Sequence, residues 1–193
     1  MVTVGSTIER DLTDEPRSVI KVAETASLRG ELLEYVLTDQ LARQFAAVLE
    51  PLVQSARPGA ADSTGNDIWV SGFFGSGKSH FAKLAGHVLA NTPVGDVTAR
   101  DLFRQLLHPG NAGDERVAAL LHDLVTYGLT CHLVPFDITA LHTPGAEQNV
   151  GLTFLRALYS SLQLSNVVPF AERELELEEA GVYGAFLELY QQK

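Results

Sequence analysis

Apolar residues recur at three- and four-residue steps through much of the chain, and this spacing predicts amphipathic helices. The longest stripe runs from Leu33 to Leu52 and predicts one helix over 31–50. That helix should end before Pro51, because proline disfavours α geometry in the residue that precedes it. The same spacing predicts further helices at 78–89, 99–107, 114–124, 151–164, 170–179 and 182–191.

Two short apolar, β-prone runs interrupt the helical pattern and predict buried strands. Residues 67–71 have the sequence DIWVS and precede a glycine, and residues 131–138 have the sequence CHLVPFDI. A shorter apolar run at 19–22 is either an edge strand or a docking segment. Strands separated by helices favour parallel pairing, so the predicted fold class is α/β.

The pattern divides the chain into three parts. Residues 1–54 form an N-terminal arm and the first amphipathic helix, and residues 55–66 (SARPGAADSTGN) form a loop rich in Ser, Gly, Pro and Ala. Residues 67–193 hold the two predicted strands and the remaining helices.

Composition narrows the function classes. The 193 residues include 14 Lys+Arg and 24 Asp+Glu, for a formal charge of −10. Such a chain lacks the basic patch of a general nucleic-acid binder and the polybasic cluster of an anionic-membrane binder. The single cysteine, Cys131, excludes an internal disulfide and fits the reducing cytoplasm. No apolar run approaches the roughly 18 residues of a membrane-spanning helix, so we expect a cytoplasmic protein.

The strongest chemical signal is the segment 72–79, GFFGSGKS, which fits the phosphate-binding pattern G-x-x-x-x-G-K-[ST]. Its glycines allow successive backbone N–H groups to turn toward phosphate oxygens. The lysine can reach the β- and γ-phosphates of ATP, and the serine can offer its hydroxyl to Mg²⁺. The candidate nucleotide-binding residues are Gly72, Phe73, Phe74, Gly75, Ser76, Gly77, Lys78, Ser79 and His80, with Ser79 as the magnesium ligand.

The other candidate site residues, Asp137 and His80, are supported by weaker sequence patterns. Asp137 ends an apolar run and is the candidate Walker B carboxylate for Mg²⁺, but the favoured interpretation is an acidic residue at a strand end or a helix N-cap. Pro135 fits poorly in a central strand. His80 directly follows the loop and is either close to the nucleotide or a packed or solvated helix residue. The sequence does not identify catalytic residues.

The surroundings of the loop resemble a known family. The sequence IWVSGFFGSGKSHF at 68–81 resembles the Walker A region of the large P-loop ATPases of bacterial BREX phage-defence systems, the BrxC/PglY family. The segment ELLEYVLT at 31–38 resembles that family's EL-x-EYV-x-T, and an acidic helix followed by Gly, Tyr and Phe at 174–186 also looks similar. The resemblance implies an ATP-binding component of a phage-resistance system that works with a DNA methyltransferase and a phosphatase-like protein. A homo-oligomer is possible.

The resemblance also implies an AAA-like P-loop NTPase core. Such a core needs about five parallel strands, and only two clear candidates are present. The last predicted helix lacks a Gly or Pro stop. We therefore expect residues 67–193 to be the first, incomplete part of a longer ATPase domain, with little activity of its own. The alternatives are a nucleotide-binding switch or scaffold without significant hydrolysis and, less favoured, a small-molecule kinase.

Overall fold

Eight helices and one short hairpin make up the described part of the chain. The computed structural model describes residues 24–60, 67–136 and 149–191. In chain order the elements are α1 Leu28–Leu33, α2 Asp39–Ala56, α3 Lys78–Ala90, β1 Pro93–Val94, β2 Val97–Thr98, α4 Ala99–Arg104, α5 Ala112–Thr126, α6 Val150–Ser161, α7 Val168–Glu179 and α8 Tyr183–Gln191.

The predicted α/β fold class is wrong. The described residues are mostly helical, and their one sheet is the antiparallel pair β1–β2, with Pro93 opposite Thr98 and Val94 opposite Val97. Neither 67–71 nor 131–136 forms a strand. The candidate strand at 19–22 and residues 137–138 lie outside the described residues. This architecture does not fit a P-loop NTPase core of the AAA-like kind.

The two strand predictions failed because a short apolar run does not reveal whether a pairing partner exists. A strand needs a neighbour for its backbone N–H and C=O groups. Residues 67–71 have no such neighbour in the described part of the chain, and Trp69 is 90% exposed. Residues 131–136 instead pass alongside α3, where the Leu133 side chain lies against Gly86.

The single helix predicted over 31–50 is also wrong, because the structure divides it into α1 and α2. The break falls before Thr38, the N-cap of α2, whose hydroxyl accepts a hydrogen bond from the Leu41 N–H at 3.3 Å. Helix α2 then continues through Pro51 to Ala56. Val53, beyond the proline, is fully buried, so core packing outweighs the backbone hydrogen bond that proline cannot make.

The remaining predicted helices are confirmed, with ends displaced by a few residues. The prediction 78–89 corresponds to α3, and the two predictions at 99–107 and 114–124 correspond to α4 and α5. Helices α6, α7 and α8 correspond to the three predictions after residue 150. Hydrophobic periodicity therefore predicted the positions of these helices to within a few residues, although the predicted fold class was wrong.

The core centres on Phe45 of α2. Its ring lies 4.7 Å from the ring of Phe81 in α3 and 4.6 Å from that of Phe103 in α4. Helix α2 also packs along α5, where Arg116 pairs with Glu50. Buried apolar residues from α1 to α5 form one cluster, and this cluster fixes the position of α3, the helix that follows the candidate phosphate loop.

Helices α6 to α8 pack on one another in sequence. The described residues link them to the preceding segment through the Phe136 and Phe154 rings, 5.1 Å apart, and through His132 Nε2, 3.1 Å from Ser161 Oγ. Several large apolar side chains of these helices are exposed: Val150, Phe154, Leu162, Phe170, Phe186 and Leu189. Among the helices that the structure describes, none combines the length and the apolar character needed to cross a membrane.

Candidate nucleotide site

The segment 72–77 forms a tight loop that leads directly into α3. The Ser76 N–H donates to the Phe73 carbonyl at 3.2 Å, which closes a turn. Gly75 and Gly77 have φ angles of 78° and 80°, in the left-handed region that residues with a Cβ rarely adopt. A Cβ on Gly72 would lie 2.8 Å from Ser76 Oγ. Gly75 and Gly77 thus adopt a backbone conformation that a Cβ disfavours, and Gly72 leaves room for the Ser76 side chain.

The N-terminus of α3 presents free backbone donors at the end of this loop. Gly77 is the N-cap and provides no side-chain cap, and the first turn contains no acidic residue. The first N–H group bonded within the helix is that of Phe81, which donates to the Gly77 carbonyl at 2.8 Å. The preceding N–H groups have no helical acceptor. Together with the helix dipole they form a site that favours an anion.

Lys78 lies across the loop. Its ammonium donates to the Phe73 carbonyl at 2.6 Å, so the positive charge is held at the loop by a neutral acceptor. A phosphate oxygen is a stronger acceptor for this ammonium than a carbonyl, because the hydrogen bond then joins opposite charges. The lysine is therefore placed to exchange its contact with Phe73 for a contact with phosphate.

An open groove of about 750 Å³ adjoins the loop. One wall is the exposed face of α2, and the other is the segment 68–73. Of the predicted site residues, the groove contacts Gly72, Phe73, Ser76, Gly77, Lys78 and His80. Phe74, Gly75 and Ser79 are exposed and lie outside its lining. The sequence motif does not predict that α2 contributes to the site.

His80 lines the groove and is partly buried. Its ring meets that of Tyr35 edge-on at 5.0 Å. Burial lowers the pKa of His80 and outweighs the opposing effect of the nearby Glu31 charge, so the imidazole is neutral at pH 7. Burial also raises the pKa of Tyr35 to about 12. His80 is therefore a packed helix residue, which was one of the two alternatives for it. The rings of His80 and Tyr35 both border the groove.

A buried ion pair behind the loop was not predicted. The Lys83 ammonium on α3 donates to Glu31 Oε1 at 2.9 Å, and it lies 2.8 Å from Oε2. Burial alone would raise the pKa of Glu31, but hydrogen bonds from Lys83 and Ser27 outweigh that effect and hold the pKa below its ordinary value. The available signal was the place of Lys83 on the apolar face of a predicted helix, where a lysine needs a partner.

The described residues fit a phosphate group better than they fit a protein-bound metal. They include no cluster of three or more His, Cys, Asp or Glu side chains that could hold a metal ion. The Ser79 hydroxyl, exposed in the first turn of α3, could supply one ligand to an Mg²⁺ that is otherwise held by phosphates and water. Asp137, the candidate Walker B carboxylate, lies outside the described residues.

The comparisons with known proteins do not decide the family. No protein-family model matches the chain, and no solved structure matches it significantly. The resemblance to the BREX ATPases stays a prediction that depends on the segments 31–38, 68–81 and 174–186.

Proposed function

We propose that the protein binds ATP with Mg²⁺ through the loop 72–79. The observation that carries the proposal is the combination of two left-handed glycines, Gly75 and Gly77, with the uncapped N-terminus of α3 and the Lys78 ammonium. Backbone N–H groups and a single lysine supply the phosphate contacts, so the net charge of −10 does not oppose them.

In this proposal each residue of the loop has a definite part. The N–H groups around Gly77 hold phosphate oxygens, and Lys78 leaves the Phe73 carbonyl for the β- and γ-phosphates. Ser79 turns its hydroxyl to the magnesium ion that accompanies them. Gly72 leaves room for the Ser76 and Lys78 side chains that lie beside it.

Binding is proposed ahead of hydrolysis. Fast hydrolysis needs a group that positions water, usually a carboxylate, and the candidate carboxylate, Asp137, lies outside the described residues. The loop, the helix N-terminus and Lys78 support nucleotide binding, which an ATPase and a nucleotide-binding switch or scaffold share. The resemblance to the BREX ATPases supports a role in phage resistance, alongside a DNA methyltransferase and a phosphatase-like protein. The single cysteine supports a cytoplasmic location.

Equilibrium titration with a fluorescent ATP analogue in the presence of Mg²⁺ tests the proposal. Lys78→Ala removes a charge-assisted contact and should weaken binding roughly 10- to 100-fold. Arg43→Ala is the matched control, because it removes a positive charge from an exposed site of α2 outside the groove lining. Equal binding by the wild type and Lys78→Ala would remove the basis of the proposal.

A further inference from the structure

The groove beside the loop is large enough for more than phosphate. Its volume of about 750 Å³ falls within the roughly 300–1,000 Å³ of sites that enclose small organic ligands. It runs from Lys78 and Gly77 at the loop to Gln40 and Gln44 on α2. A ligand whose phosphates lie at the loop would extend its organic part along this groove.

One wall of the groove exposes an aromatic surface. Trp69 is 90% exposed and Phe73 is 91% exposed, and both contact the groove. Exposed aromatic side chains beside a concave site indicate binding rather than core packing. The indole ring offers a flat face on which a nucleobase can stack.

The opposite wall offers unused amide groups. Gln40 and Gln44 lie one turn apart on α2, and both are exposed toward the groove. Within the described residues neither side chain has a hydrogen-bond partner. A glutamine amide carries a donor and an acceptor on one plane, which matches the N6 and N7 positions of adenine.

We propose that this groove is a purine-base subsite, in which the base stacks on Trp69 and its polar edge bonds to Gln44, with Gln40 beside it. This inference rests on the proposed binding of nucleotide phosphates at the loop. It adds a specificity for purine nucleoside triphosphates over other polyphosphates and assigns that specificity to α2, which the phosphate motif does not include.

Trp69 is the one tryptophan of the chain, so its fluorescence reports the subsite directly. The experiment titrates the full chain with ATP, CTP and inorganic tripolyphosphate, all with Mg²⁺, and follows indole emission and heat of binding together. ATP should quench the emission and bind about tenfold more tightly than tripolyphosphate or CTP. Tripolyphosphate should bind at the loop without quenching.

Variants separate the subsite from the loop. Trp69→Ala and Gln44→Leu should weaken ATP by several-fold to tenfold, measured by calorimetry, and leave tripolyphosphate binding unchanged. The matched control Gln54→Leu, on an exposed position of α2 outside the groove lining, should change neither. Lys78→Ala should weaken both ligands.

The possible results distinguish the two proposals. If ATP and tripolyphosphate bind with equal affinity, only Lys78→Ala weakens their binding, and ATP does not quench Trp69, the phosphate site stands and the base subsite is overturned. If neither ligand binds the wild type, both proposals fall.

Discussion

The Lys83 ammonium lies within 2.9 Å of both carboxylate oxygens of Glu31 and joins α3 to α1 beneath the candidate phosphate loop. Both side chains are almost fully removed from solvent. Ser27, just before α1, also donates to the Glu31 carboxylate. The helix that carries Lys78 is thus fixed at its first two turns by a charged contact as well as by Phe81.

Removal of one member of this pair should destabilise the fold strongly. Glu31→Leu leaves the Lys83 charge buried without its partner, and a broken buried ion pair costs about 3–5 kcal/mol. Lys83→Met should have a comparable effect, because it leaves the Glu31 carboxylate buried without its partner. Chemical denaturation of both variants measures the change in the free energy of unfolding.

The double variant is the informative control for the pair. Glu31→Leu combined with Lys83→Met replaces two buried charges by apolar groups and should be much closer to the wild type than either single variant. A double variant whose loss equals the sum of the single losses would show that the two side chains do not interact energetically.

Stability should decline as the solution is acidified, and His87 is one cause. Its Nδ1 lies 2.9 Å from the Thr92 hydroxyl, and its Nε2 is buried without a hydrogen-bond partner in the described residues. Burial lowers the pKa of His87 and the Lys83 charge lowers it further, while Glu31 opposes them. The unfolded chain therefore takes up a proton first as the pH falls through the ordinary value of 6.5, so acid favours unfolding in this window.

Protonation of Glu31 also lowers the stability of the fold, but at a lower pH. Its pKa is depressed below the ordinary value of 4.5, so its contribution is present above that value and is lost as the pH falls through the depressed one. Denaturation between about pH 8 and pH 5.5 isolates the histidine effect. His87→Asn should reduce that decline without abolishing it, because His80 acts in the same direction, whereas His122→Asn, at an exposed site on α5, should leave it unchanged. An unaltered decline in His87→Asn would exclude His87 as a cause.

Local sequence patterns were sufficient for the helices because a helix satisfies its own backbone hydrogen bonds. The spacing of Phe81, Leu84 and Val88 located α3, and the glycines before it located the loop. The strand prediction at 67–71 rested on the β propensity of its sequence. Propensity is a local property, whereas the partner strand that a sheet requires is set by the whole chain. Trp69 shows the consequence, because the residue expected in a buried strand is among the most exposed.

The candidate site was predictable only in part for the same reason. The motif 72–79 is continuous in sequence, so the loop residues and Lys78 could be named in advance. Gln44 is 34 positions before Lys78 in the numbering, and only the packing of α2 against α3 brings the two to one groove. Lys83 and Glu31 likewise meet through tertiary packing, which hydrophobic periodicity does not encode.

The contact between Gly86 and Leu133 explains how the segment 131–136 approaches α3. A Cβ on Gly86 would lie 2.8 Å from Leu133 Cδ1, at the end of a flexible side chain. Gly86→Ala should gain helix propensity of about 0.5–1 kcal/mol but lose much of it by displacing Leu133. The variant should therefore be close to the wild type in thermal or chemical unfolding.

A double-mutant cycle checks this contact. In a Leu133→Ala background, Gly86→Ala should recover the full propensity gain of about 0.5–1 kcal/mol. Gly30→Ala in α1, where a Cβ meets nothing within 4 Å, serves as the unobstructed control. The same effect of Gly86→Ala in both backgrounds would show that Leu133 does not lie against this helix face.

Pro51 offers a test of how α2 withstands a proline in its interior. The ring leaves the Ala47 carbonyl without its helical donor, and the helix continues to Ala56 because Val53 is fully buried in the core. Pro51→Ala should restore that hydrogen bond and relieve the steric conflict, so it should stabilise the fold by about 1–3 kcal/mol. The greater freedom of the unfolded chain reduces the gain by up to about 1 kcal/mol.

Ala46→Pro, which introduces a proline elsewhere in the same helix interior, should destabilise by about 3 kcal/mol or more. A loss of stability in Pro51→Ala would show that α2 does not run unbroken through this position.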